Sequence, residues 1–159
     1  MSLHTITLGG GCFWCTEAVF ERVRGITQVQ SGYCNGSVLQ PTYEQVCTGR
    51  TGHNEVVRLT FDPAVIGPGQ ILEIFFAIHD PTTLNRQGPD IGTQYRSVIF
   101  YHTTEQEAEA RASRAAVEQS GRFRRHVVTA IEPAGTFWRA EEYHQQYFAK
   151  HGGGHCRVM

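Results

Sequence analysis

"HTITLGGGCFWCTEAVF", residues 4–20, contains a change of hydrophobic period that sets the architecture. His4 to Leu8 alternate polar and apolar side chains, the two-residue period of a strand with one buried face. Three glycines interrupt the pattern. From Cys12 the period lengthens: Val19, Phe20 and Val23 recur at helical spacing, with Glu17, Glu21 and Arg24 on an opposite, wetted face. A strand, a glycine turn and a helix over residues 12–24 are therefore expected, with Cys12 in the first helical turn.

Working outward, "ITQVQSGY" (26–33) reads as a second strand and "QPTYEQVCTGRTG" (40–52) as a turn-rich loop with one helical turn. "NEVVRLTFD" (54–62) is the clearest strand, and Gly67-Pro68 opens an apolar helix reaching Ile78. A long loop at 79–96 precedes the strand "SVIFY" (97–101); loops of such length in a compact domain are often functional. Thr104 with Glu107 predicts a capping box for a helix to Gln119, supported by a Glu107–Arg111 pair. "VVTAIEP" (127–133) reads as a strand and "RAEEYHQQYF" (139–148) as a last short helix. Strands and helices mix without strict alternation, which predicts an α+β fold with helices packed on a mixed sheet.

The 159 residues suit one catalytic domain over 1–159, with a flexible Gly-rich tail at 149–159. A net charge of −1 gives no electrostatic case for nucleic acid or an anionic membrane, and no apolar run approaches the ~20 residues of a membrane span. The N-terminus lacks the basic and apolar regions of a signal peptide, so a cytoplasmic location is expected. There, an odd set of five cysteines (12, 15, 34, 47 and 156) points to catalysis, metal binding or simple burial rather than a disulfide framework.

Most cysteines are small buried hydrophobes. Cys12 differs, because unpaired N–H groups at a helix start favour thiolate and the preceding glycines let a ligand approach. Phe13 and Trp14 suit either the core or an apolar pocket beside that thiol. Glu55 falls in register with Val57, Leu59 and Phe61 on the apolar face of its strand. Burial there would raise its pKa and make it a proton donor; a frayed strand start would instead release it to water. His79, Asp80, Asp90, Tyr95 and Arg96 on the long loop fit turn chemistry or a site equally well. Cys156, behind three glycines, is placed to reach another sulfur. Cys12-x2-Cys15 also has the spacing of a zinc half-site or a dithiol, although no second Cys-x2-Cys exists and the surrounding pattern lacks thioredoxin-like alternation.

These residues resemble a known family. "GCFWCTEAVF" is similar to the signature of the A-type peptide methionine sulfoxide reductases, and "PTYEQVCTGRTGHNEVV" (41–57), "HDPTTLNRQGPDIGTQYRSVIFY" (79–101) and "AEEYHQQYF" (140–148) resemble its later blocks in order. The resemblance implies a ferredoxin-like core (α/β roll), reduction of the S epimer of methionine sulfoxide, free or in proteins, no bound cofactor or metal, and electrons from thioredoxin. It implies Cys12 as nucleophile, and Glu55 as the protonated acid on the sulfoxide oxygen. Tyr43, Tyr95 and Asp90 would join the same polar network, and Phe13 and Trp14 would hold the S-methyl group. Cys156 would resolve the sulfenic acid as a disulfide, in preference to Cys15. Cys15 stands where the signature usually has glycine, and Cys34 replaces a small residue; Cys47 is expected to be buried and inert. A monomer is expected.

Overall fold

The structure, a computed structural model, describes residues 2–150. Its elements are β1 (His4–Gly9), α1 (Phe13–Phe20), β2 (Ile26–Cys34), α2 (Tyr43–Cys47), β3 (Asn54–Phe61), α3 (Pro68–Ala77), β4 (Arg86–Gln87), β5 (Asp90–Ile91), β6 (Val98–Tyr101), α4 (Thr104–Gln119), β7 (Ala130–Pro133), β8 (Phe137–Arg139) and α5 (Tyr147–Lys150). A six-stranded sheet runs in the order β7-β6-β1-β3-β2-β8. Its neighbours are antiparallel except β6 and β7. The centre β6-β1-β3-β2 is joined by α1 between β1 and β2 and by α3 between β3 and β6. That is the split βαβ connection of a ferredoxin-like core, so the α+β expectation holds.

Alternation places Ile6 and Leu8 of β1 opposite Leu59 and Val57 of β3. Together with Phe61, Phe13 and Phe20 of α1 and Ile71, Leu72, Phe75 and Phe76 of α3, they make the main core. Each such large side chain contributes about 1.5–3 kcal/mol by leaving water. Val56, Val98, Phe100 and Cys34 form a smaller apolar cluster, to which Phe137 adds.

Five local expectations need correction. The first helix stops at Phe20, because the chain turns off through Arg22 and Val23 to Gly25, whose φ of 98° suits glycine. Glu17 is buried rather than wetted, since residues 144–147 pack over that side of α1. The cap of α4 is Thr103, whose hydroxyl accepts from the Gln106 N–H; Gln106 reaches back to the His102 N–H, while Glu107 pairs with Arg111 at 2.8 Å. Residues 139–148 do not form one helix. Phe137–Arg139 pair with β2, a 3-10 turn follows at Glu142–His144, and only Tyr147–Lys150 is α-helical. Gln145 is the reason: its side chain bonds the N–H and C=O of Ser31 and the C=O of Ala140, tying this segment to the sheet. The strand expected at 127–133 pairs only from Ala130, with Val128 tied to the Pro81 carbonyl instead.

Candidate active site

β1 ends beside β3 at the height of Glu55, and the glycine turn carries the chain from there into α1. A Cβ at Gly10 would stand 3.0 Å from the Phe75 ring and 3.1 Å from His79 Cγ. Gly11 has φ 99°, and a Cβ there would lie 2.8 Å from Gln87 Cγ. Only glycine meets both demands at residue 11. The turn delivers Cys12 as the N-cap of α1, in extended conformation (φ −61°, ψ 125°) and half-buried.

A helix start has unpaired N–H groups, and here they are divided between two acidic side chains. The Phe13 N–H donates to Glu55 Oε1 at 3.3 Å. The Cys12 side chain closes no capping bond, while the N–H groups of Trp14 and Cys15 lie toward its sulfur and favour its ionised form. The Cys12 pKa is lowered chiefly by a hydrogen bond from the Cys15 side chain and further by those two N–H groups, against burial and the Asp90 charge. The Glu55 pKa is raised well above the carboxylic range, first by burial and then by the neighbouring Cys12 sulfur. Two details agree with a neutral carboxyl: 3.3 Å is long for a bond to a carboxylate, and Oε2 is buried without a partner. A thiol shifted toward its ionised form and a carboxyl shifted toward its neutral form thus flank one helix turn.

Aromatic rings surround this pair. Phe13 is buried, with the rings of Tyr33, Tyr43 and His144 at 5.7, 6.4 and 5.2 Å. Trp14 stacks on Tyr147 at 3.8 Å, and its Nε1–H donates to His144 Nδ1 at 2.9 Å. That bond puts the proton of a neutral His144 on Nε2, and burial lowers the pKa of this imidazole. Glu141 accepts from the Tyr33 hydroxyl at 2.8 Å and from the Tyr43 N–H at 2.9 Å, holding the start of α2.

The sequence-expected residues divide clearly. Cys12, Phe13, Trp14, Tyr43 and Glu55 share this cluster. Asp90 and Tyr95 border it: the Asp90 charge reaches Cys12 and Glu55, and burial raises the pKa of Asp90, Tyr43 and Tyr95. Cys156 lies outside the described residues. His79, Asp80 and Arg96 are structural. His79 is buried with a pKa pushed down to about 4 by desolvation, and is bonded to the Phe75 carbonyl and Ser97. Asp80 makes a turn to Thr82, and Arg96 binds Asn54. Cys34 is buried as a small hydrophobe, its thiol pushed up to about 11 by desolvation. Cys47 is exposed, correcting the expectation of burial: it ends α2 and shares a hydrogen bond with the Tyr43 hydroxyl. Among the described residues no cluster of three His, Cys, Asp or Glu could hold a metal ion, and no helix is long and apolar enough to cross a membrane.

A sequence profile of the peptide methionine sulfoxide reductases matches residues 4–159. The chain belongs to that family. It is an oxidoreductase of the methionine sulfoxide reductase type. A peptide methionine sulfoxide reductase MsrA from Methanoculleus marisnigri is 64% identical over 99% of this chain and 96% of its own. Mxr1 from Saccharomyces cerevisiae, in reduced form, superposes with a TM-score of 0.91 at 37% identity, over 98% of this chain and 90% of that one. The same yeast protein in complex with Trx2 gives 0.65 at 28% identity, over 91% and 84% of the two chains.

Sequence reasoning about this reductase did not single out Tyr33, Glu141, His144, Tyr147 or Glu17. The aromatic density of "EEYHQQYF" was the available signal for His144 and Tyr147. Glu17 carried none, because its helical wheel marks it as wetted.

Proposed function

We propose that the chain reduces the S epimer of methionine sulfoxide, free or in polypeptides, through Cys12 and Glu55. The observation that supports this most is the first turn of α1, where one N–H reaches Glu55 and the next two face Cys12. Sulfoxide sulfur is a poor electrophile until its oxygen gains a proton, so the reaction needs a thiolate and an acid together. Glu55 supplies the proton, and Tyr43 and Tyr95 donate hydroxyl bonds to the same oxygen within a network that Asp90 completes. Phe13 and Trp14 wall the apolar space for the S-methyl group.

The Cys12 thiolate attacks sulfur, the S–O bond breaks, and the oxygen passes to Cys12. The products are methionine and Cys12 sulfenic acid, the sulfoxide being reduced and the thiol oxidised by two electrons. The Cys156 thiol then displaces water to form a disulfide, and a thioredoxin-type dithiol reduces it by exchange. The complex of yeast Mxr1 with Trx2 supports that reductant class. We place the reaction in the cytoplasm, on a monomer, with no bound cofactor.

The test is incubation of the protein with each separated epimer and dithiothreitol. The S form should be converted and the R form left intact, and Cys12→Ser should abolish conversion. Turnover of the R form, or activity without Cys12, would refute the proposal.

A further inference from the structure

Glu17 is a buried carboxyl that the mechanism does not use. It stands three residues beyond Trp14 on α1, so the two side chains lie on neighbouring turns of one face. Both grip the same distant segment. Glu17 Oε1 accepts the Gln146 N–H at 2.7 Å, and the Tyr147 N–H faces the same carboxyl. Gln146 has φ 54°, a left-handed conformation that a side chain makes costly. Immediately after it, the Tyr147 ring lies flat on the Trp14 indole, 3.8 Å away and 10° from parallel, while His144 takes the indole N–H. The carboxyl therefore holds a strained backbone turn, and that turn presents the ring which fixes Trp14.

We infer that Glu17 is a positioning residue for substrate binding: through Gln146 and Tyr147 it holds the Trp14 indole in the orientation that walls the sulfoxide site. This rests on the proposed role of Trp14 and adds a residue that never touches substrate. Gln keeps an acceptor oxygen in the same place, so Glu17→Gln preserves the grip; Glu17→Leu fills similar space without it. Glycine adopts φ 54° without side-chain cost, so Gln146→Gly removes part of the need for the carboxyl.

The test compares Glu17→Leu, Glu17→Gln and the double variant Glu17→Leu/Gln146→Gly. KM and kcat for the S epimer and the alkylation rate of Cys12 are measured, with Tyr147→Leu as an independent lesion. A stacked aromatic pair is worth enough that Glu17→Leu and Tyr147→Leu should each raise KM about tenfold. The same variants should leave kcat within about threefold and Cys12 alkylation within about twofold. Glu17→Gln should stay within about twofold of the wild type, and glycine at residue 146 should recover part of the KM. Should Glu17→Leu fail to fold, Tyr147→Leu and Glu17→Gln carry the comparison. An unchanged KM in Glu17→Leu or Tyr147→Leu overturns the inference, as do parallel losses in kcat and alkylation or a Glu17→Gln variant as impaired as Glu17→Leu. A wild type inert toward the S epimer would instead refute the proposed function. In that case tryptophan emission in a Trp138→Phe background still reads the grip: a red shift on Glu17→Leu supports it and an unchanged spectrum overturns it.

Discussion

Replacing Glu55 by Gln separates a neutral acid from an ionised carboxylate at this site. The amide keeps the size of the side chain, its acceptor for the Phe13 N–H and a donor toward the sulfoxide oxygen, but it cannot release a proton. A positioned general acid contributes about 10²–10⁴ in rate, or about 2.7–5.4 kcal/mol of barrier, and the step forming methionine should slow by that range. Burial and the adjacent sulfur raise the Glu55 pKa well above its ordinary value, which favours the protonated acid on which the proposed mechanism depends. Gln therefore exchanges one neutral group for another, and the Cys12 pKa should not move. Were Glu55 ionised, losing a like charge beside the sulfur would lower the Cys12 pKa. The assay is iodoacetamide alkylation of Cys12 against pH, read on its own peptide by mass spectrometry, beside quench-flow formation of methionine. The wild-type rate should fall as alkaline pH strips the proton from Glu55, and Glu55→Gln should lack that decline. A Cys12 pKa one unit or more lower in Glu55→Gln would refute the reasoning.

The raised Glu55 pKa also has a consequence for stability. Its folded pKa lies above its unfolded value, so its contribution is fully present below the unfolded pKa and is lost as pH rises through the folded one. In a Cys12→Ser background, urea denaturation should show Glu55→Gln gaining on Glu55 as pH rises; a pH-independent difference would contradict burial of the acid. Gly11→Ala combines a left-handed φ with a clash against Gln87, which hydrogen bonds to Asp80 at 2.7 and 2.8 Å prevent from swinging aside. It should cost about 2–4 kcal/mol in chemical denaturation, and a loss below 1 kcal/mol would show that the turn can relax.

The parts of the site legible in the sequence are those set by local periodicity. Glu55 could be placed because β3 alternates, and an acidic side chain in phase with Val57, Leu59 and Phe61 must share their side of the sheet. Cys12 could be placed because glycines and a change of period mark a helix start. Glu17 could not, because what buries it lies near residue 146, on a segment brought over α1 by the tie between Gln145 and β2. The misreading of 139–148 has the same origin: its spacing allows a helix, and Gln145 bonds to Ser31 and Ala140 override that local preference. Cys47 was misjudged because its apolar character says nothing of its position at the exposed end of the short helix α2.

The most direct measurement uses Cys156→Ser, mixed with the S epimer in the absence of reductant and quenched with dimedone. About one methionine per chain is expected, as a single oxygen transfer requires, with a dimedone adduct on the Cys12 peptide that the R epimer does not produce. No methionine, or an adduct on Cys15, Cys34 or Cys47 in place of Cys12, would contradict it.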